Sequence, residues 1–274
     1  MSTGATVRLP PLDGWAVVLG ASSGFGAASA LALARAGVDI VGVHLDRRAT
    51  LPEAERVAAA IRSLGREAWF FNVNAADAAK LGSVLDEIQQ RFSERGRGEQ
   101  IRVLVHSLAF GSLRSFVPGV AEERITRKQL EMTCNVMAHS LVYWTQAMLD
   151  RDLFSGEGRI LALTSTGSRE VWGGYGAVSA AKAALESHVR QLARELAPRG
   201  ITVNAICAGV TDTPALAKIP EKQRMVDKAI RKNPAERLGT PDDVASALVA
   251  LAQPCTYWMT GGVIHVDGGE AHCG

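Results

Sequence analysis

The chain has 274 residues, 47% of them apolar, which is enough to bury one sizeable core and lies near the upper size of a single domain. Thirty Lys+Arg against 28 Asp+Glu leave a formal net charge of +2, which excludes the broadly basic surface of a dedicated nucleic-acid binder. Apolar stretches are broken by glycine or charge before the length of about 18 residues that a membrane span needs, and MSTGATVRLPPLDG has neither the charged start nor the apolar run of a signal peptide, so a soluble, cytosolic protein with no membrane partner is expected.

The first predicted strand, WAVVL near residue 15, runs into a glycine-rich turn, LGASSGFGAA, and the helical pattern FGAASALALARAG. Then follow the strand DIVGV near 39, the helix EAERVAAAIRSLG, the strand EAWFF near 67 and the helix AAKLGSVLDEIQQRF. A solvated connection, SERGRGEQ at 93 to 100, leads to the strand IRVLVH near 101 and the long helical stretch RKQLEMTCNVMAHSLVYWTQAMLD. The strand RILALT near 159, the helix AAKAALESHVRQLARELA and the strand ITVNAI near 201 come next, and DDVASALVALA and VIHV near 263 close the chain. Each strand is short and apolar throughout, as strands covered on both faces are, and each helix carries apolar residues three and four apart. Such alternation requires parallel strands joined by right-handed crossovers. The expected fold is therefore α/β, a single doubly wound Rossmann domain over 1–274 with about seven parallel strands and helices on both faces.

Between Gly209 and about Arg237 lies a long, partly helical insertion with Pro214, Pro220 and Pro234. It follows the sixth strand at the carboxyl edge, where open α/β sheets bind ligands, and is read as a substrate lid. Cys134, Cys207, Cys255 and Cys273 are far apart and read as buried or free thiols. His44, His106, His139, His188, His265 and His272 include no i, i+4 pair, so no metal site is expected.

Gly20, Ser22, Ser23, Gly24 and Gly26 form the turn between the first strand and its helix. Glycines at that spacing let backbone approach a pyrophosphate, and the free N–H groups and positive dipole end of the helix face the anion. The second strand ends in His44, Leu45, Asp46, Arg47 and Arg48, with His44 at the place where NAD sites tend to carry an acidic residue. Two adjacent guanidiniums suit a 2′-phosphate and hence NADPH. The alternative makes Arg47 and Arg48 solvated residues at a helix start, with Asp46 reaching a 2′-hydroxyl, so NADH stays possible.

The stretch TSTGSREVWGGYGAVSAAKAALESHVRQLARELAPRGITVNAICAG, with the glycine turn, Asn135 in NVMAHS, and Ser165 seventeen residues before Lys182, resembles the short-chain dehydrogenase/reductase family from Trp15 to VIHVDGG. Typical carbonyl-reducing members place tyrosine four residues before the catalytic lysine, where this chain has Val178; Tyr175 stands seven before Lys182. That Tyr-x6-Lys spacing, and HSLAFG at 106 to 111 where typical members read NNAG, are similar to the divergent enoyl-acyl carrier protein reductase branch. Seven helical residues would put Tyr175 and Lys182 on nearly one face about 10 Å apart. That is farther than the usual spacing and fits a charge developing three bonds from the carbon that accepts hydride.

The resemblance implies an NADPH-dependent reduction of trans-2-enoyl thioesters in fatty acid synthesis. Tyr175 and Lys182 would be catalytic, Ser165 either a substrate-carbonyl partner or a structural hydroxyl, and Asn135 a helix-kinking residue on a proton path. Cofactor contacts are implied for Asn72, Val73, Ser107, Lys182, Gly209, Thr211 and Thr213 beside the glycine turn, His44, Arg47 and Arg48. It further implies a homotetramer and an acidic acyl carrier protein as partner. Lys218, Lys222, Arg224, Lys228, Arg231 and Lys232 could receive that partner, or form a solvated helix face mixed with Glu221 and Asp227. Two other functions stay open: ordinary short-chain carbonyl/alcohol reduction, and a nucleotide-binding protein without turnover.

Overall fold

A computed structural model describes residues 10–117, 119–219 and 221–273. The first nine residues, part of the stretch read above for a targeting signal, and Pro220 of the lid lie outside the described residues. Seven strands form one sheet: β1 (Trp15–Leu19), β2 (Asp39–His44), β3 (Ala68–Asn72), β4 (Ile101–His106), β5 (Phe154–Ser165), β6 (Thr202–Ala208) and β7 (Val263–Val266). Their order is β3-β2-β1-β4-β5-β6-β7, and every pairing is parallel. The order reverses at β1, so the crevice between the carboxyl ends of β1 and β4 is the topological switch point.

Helices α1 (Gly24–Arg35), α2 (Leu51–Ser63) and α8 (Pro241–Leu251) cover one face, and α3 (Ala78–Arg95), α5 (Ser140–Asp150) and α6 (Gly176–Leu196) cover the other. On the first face Leu33, Val57, Ile61, Val244 and Leu248 bury Val18, Ile40, Val105 and Ile206. On the second, Leu85, Ile88, Trp144, Met148 and Val189 bury Leu19, Leu104 and Ile160. Burial on both faces is why the strands read as unbroken apolar runs. Among the described residues no helix is long and apolar enough to cross a membrane.

Helix ends follow their capping residues. Asp77 accepts the Ala79 and Lys80 N–H groups at the start of α3, Thr126 and Gln129 form a capping box on α4 (Arg127–Cys134), and Thr240 and Asp243 form one on α8. The stretch expected as one helix over 127–150 is interrupted: Asn135–His139 make a π turn between α4 and α5. That turn sits where the buried His106 ring meets Ser140, whose hydroxyl donates to the Val136 carbonyl at 2.7 Å. The insertion after β6 closes on itself at its base, where Thr211 bridges Gly239, and contains a 3-10 turn, Leu216–Lys218, and the helix α7 (Lys222–Lys232).

Trp144 is fully buried and donates its indole N–H to the Ala75 carbonyl at 2.8 Å. Trp144→Ala is expected to lower stability by about 3–5 kcal/mol in a urea titration, through the cavity and the orphaned carbonyl together.

Candidate active site

The turn after β1 brings three backbone segments into contact. Gly20 and Ala21 donate to the Val43 carbonyl of β2 at 2.8 and 3.1 Å, and Ser107 donates to Leu19 at 2.9 Å. Gly20, at φ +91°, passes so close to β4 that a Cβ there would stand 2.5 Å from the Ser107 carbonyl oxygen; one at Gly26 would collide with the Gly20 carbonyl. Ser23 precedes α1 without capping it, and α1 has no acidic residue in its first turn, so the leading N–H groups remain available. A pyrophosphate needs this combination of close backbone approach, free donors and positive dipole. Gly24 sits below Thr213, whose Cβ and Cγ2 would lie 3.7 Å from a Cβ at that glycine, so Thr213 closes the far side.

At the end of β2 the buried His44 ring pairs with Asp46 at 2.8 Å. Burial raises the Asp46 carboxyl, but the Thr50 and Ser22 hydroxyls and the His44 ring together hold it below its usual range. Arg47 and Arg48 are exposed, and among the described residues their side chains have no hydrogen-bond or ion-pair partner. Asn72 is spent on the Asp46 main chain: its Oδ1 accepts the Asp46 N–H at 2.9 Å and its Nδ2 donates to the Asp46 carbonyl at 3.0 Å. It thereby fixes the strand end while remaining exposed, and the Val73 N–H donates to the His44 carbonyl at 2.8 Å. Gly209 packs against Asp267 and Glu270, and buried Thr211 donates back to the Gly209 carbonyl at 3.0 Å. These residues lie at the carboxyl ends of β1, β2, β3 and β6 or in the loops that follow them.

Lys182 on α6 is buried, and its Nζ donates to the Leu163 carbonyl of β5 at 2.6 Å. Burial pushes its pKa down from 10.5 to about 8, against the opposing pull of Glu186 one turn later. Glu186 is itself buried, accepts the Thr164 hydroxyl at 2.8 Å and faces Arg169 at 3.8 Å. The i, i+4 spacing of Lys182 and Glu186 was a legible signal for this partner.

Tyr175 does not lie within α6. It occupies the position before the first helical residue, and its ring turns back over Gly167, where a Cβ would stand 2.5 Å from Cε1 and 3.1 Å from Ser165 Oγ. Gly173 and Gly174, the latter at φ +68°, immediately precede Tyr175, whose carbonyl accepts the Ser179 N–H at 2.9 Å as the first hydrogen bond of α6. Gly167, which lacks the side chain that would block the ring, is a site residue that spacing did not reveal. Burial raises the Tyr175 phenol and Ser165 partly offsets this. Ser165 Oγ is sealed from solvent without a hydrogen-bond partner.

Val178, at the usual tyrosine position, is buried with Val136, Met137 and Ala181, and Tyr175 packs at the edge of that cluster. Asn135 begins the π turn beside it, its N–H donating to the Glu131 and Met132 carbonyls. His106 is buried, and burial together with the nearby Lys182 charge lowers its pKa to about 3, so the ring is neutral. Since Ser140 donates to Val136, His106 Nε2 carries the proton that Ser140 accepts at 2.8 Å. His139 and His188, distant in sequence, meet at 2.9 Å.

A family model described as Enoyl-(Acyl carrier protein) reductase matches residues 20–270. The chain is 31% identical over 283 residues to the NADPH-dependent aldehyde reductase-like protein, chloroplastic, of Arabidopsis thaliana, covering 98% of this chain and 99% of that protein. Among solved structures it is similar to a short chain dehydrogenase from Burkholderia cenocepacia J2315 in complex with NADP, with a TM-score of 0.79, 28% identity, and 94% and 98% of the two chains covered. It is also similar to the enoyl-[acyl-carrier-protein] reductase (NADH) of Aquifex aeolicus VF5, with a TM-score of 0.80, 25% identity, and 97% and 98% covered.

The Lys182 shift has a measurable sign. Below pH 8 folded and unfolded chains both hold the proton and the folded state carries the burial cost; from about 8 to 10.5 only the unfolded chain holds it, so stability rises with pH. The melting temperature of the wild type minus that of Lys182→Met is expected to increase by several degrees between pH 7 and pH 10, a gain of at most about 3 kcal/mol.

Proposed function

Because the chain belongs to the short-chain dehydrogenase/reductase family and is an NAD(P)H-dependent oxidoreductase, we propose that it reduces the carbon–carbon double bond of trans-2-enoyl thioesters with NADPH. The observation that carries this reading is the exchange at the helix start. An apolar Val178 fills the place of the carbonyl-reducing tyrosine, and the phenol of Tyr175, three residues earlier, lies over Gly167.

When bound, the reduced nicotinamide supplies hydride. The chain would hold the cofactor with the turn from Gly20 to Gly26, the Gly209 to Thr213 turn and Lys182, and the free guanidiniums of Arg47 and Arg48 suit a 2′-phosphate. Asp46 is already engaged by His44, which supports NADPH over NADH. The Tyr175 hydroxyl donates to the substrate's carbonyl oxygen as enolate charge develops there, and Lys182 favours that donation through its positive charge. The half-exposed Phe116 ring packs on Gly176, next to Tyr175, and supplies an apolar surface that suits an acyl chain.

A second reading is ordinary carbonyl reduction. The unpartnered Ser165 hydroxyl beside Tyr175 favours it, as does the relative named as aldehyde reductase-like. Absorbance at 340 nm with NADPH or NADH and a trans-2-enoyl thioester separates the two. Thioester-dependent NADPH oxidation that falls about 10²- to 10³-fold in Tyr175→Phe supports enoyl reduction, and turnover of ketones alone establishes the second reading. Replacing Arg47 and Arg48 together with alanine is expected to raise the Kd for NADPH by about tenfold or more while leaving that for NADH within about twofold, measured by fluorescence titration.

An acyl carrier protein as partner and a homotetramer accompany this proposal. Of the six cations beside the lid, Arg224 is paired with Glu221 and Lys228 with Glu170, which leaves Lys218, Lys222, Arg231 and Lys232 to meet an acidic carrier. Charge reversal at Arg231 and Lys232 is expected to raise the KM for a carrier-bound substrate and spare that for its coenzyme A counterpart.

A further inference from the structure

The lid helix α7 is joined to the segment that leads into Tyr175. Lys228 Nζ meets Glu170 Oε2 at 2.9 Å and stands 4.8 Å over the Trp172 ring, and the same carboxylate oxygen accepts the Trp172 indole N–H at 3.2 Å. Glu170 closes the turn after β5, its N–H donating to Thr166 at 2.8 Å, and the Trp172 carbonyl accepts the Tyr175 N–H at 3.1 Å. A second touch lies at the start of α7, where the carboxylate end of Glu221 rests on Gly173. At its other end α7 is hinged by buried Asn233, whose side chain donates to the Asp267 carbonyl at 3.1 Å and accepts the Ala235 N–H at 2.9 Å.

We propose that Lys228, Glu170 and Trp172 form a latch through which the lid sets the position of Tyr175, making Lys228 and Glu170 positioning residues of the reaction. A charge-assisted hydrogen bond at a half-buried site, reinforced by a cation over an indole face, holds a short loop more firmly than exposed ion pairs do. With the latch closed, Trp172 is held from its side chain and its carbonyl fixes the Tyr175 amide, so the ring is pressed over Gly167 beside Ser165. With the lid lifted, Glu170 and Trp172 lose their cation, and the two residues between Trp172 and Tyr175 are both glycines that resist little. Substrate enters past an open lid, and closing it returns the phenol to the reacting oxygen. The latch rests on the reading of Tyr175 as the hydroxyl that serves the substrate.

The test pairs amide hydrogen exchange with steady-state kinetics in Lys228→Met, Glu170→Gln and Lys228→Arg. In Lys228→Met the Tyr175 amide is expected to exchange several-fold faster. With a trans-2-enoyl thioester, kcat falls about 10-fold, the order for one charge-assisted hydrogen bond, with KM and the Kd for NADPH within about twofold. Glu170→Gln gives the same pattern, and Lys228→Arg, which keeps the charge, restores both readouts. Tyr175 exchange unchanged from the wild type in both Lys228→Met and Glu170→Gln overturns the latch whatever substrate is reduced. Faster exchange in a protein whose wild type turns over no enoyl thioester supports the latch and refutes the enoyl reading alone. A loss confined to the Kd for NADPH, with exchange unaltered, places Lys228 in cofactor binding and overturns the proposal.

Discussion

Four chain segments meet at a point where no side chain fits. The end of β1, the start of α1, the end of β2 and the end of β4 are joined by the main-chain contacts of Gly20, Gly26, Val43 and Ser107. Because Gly20 and Gly26 carry no Cβ, α1 enters directly off the strand and its first amides point along the carboxyl edge. The same contacts bring His44 and Asp46 from β2, and His106 and Ser107 from β4, to one crevice. A methyl group at Gly26 would have to displace main chain, not a side chain, so the knot has no soft direction in which to yield.

The second organising constraint is electrostatic. Lys182 keeps its ammonium group inside the protein with the Leu163 carbonyl as hydrogen-bond partner and Glu186 as the nearest opposing charge. Burial of that kind destabilises the fold and is retained where charge is wanted without water to screen it. Two other polar groups nearby are left short of partners, Ser165 Oγ and His106 Nδ1, and both belong to strand ends at the same edge. A buried lysine with a lowered pKa beside an unpartnered serine hydroxyl is an arrangement that serves chemistry more than stability.

The lid shows how the two halves of the site are coupled. Its base is fixed twice, by the Thr211 to Gly239 bridge and by Asn233 on the Asp267 main chain, while its helix reaches across to Glu170 and Trp172. Thr213 borders the glycine turn at Gly24, and Trp172 borders Tyr175. One inserted segment therefore touches both the glycine turn and the loop before Tyr175, with Leu216, Met225 and Ala229 buried beneath it and polar contacts at its outer edge.

Much of this was written in local pattern. Seven apolar runs and the three- and four-residue spacing between them determined the doubly wound sheet, since both periods are set by backbone geometry within a few residues. Gly20, Gly24 and Gly26 between a strand and a helix marked the tight turn after β1, and Val178 with Tyr175 marked the departure from the usual tyrosine–lysine spacing. Only the tertiary structure decided how those residues are used. Tyr175 folds back over Gly167, Asn72 turns onto the Asp46 main chain, His106 meets Ser140 34 residues away, and Lys228 meets Glu170 58 residues away. Such pairings are set by which strands lie side by side and where the crossovers land them, and side-chain periodicity carries no information about contacts made across that distance.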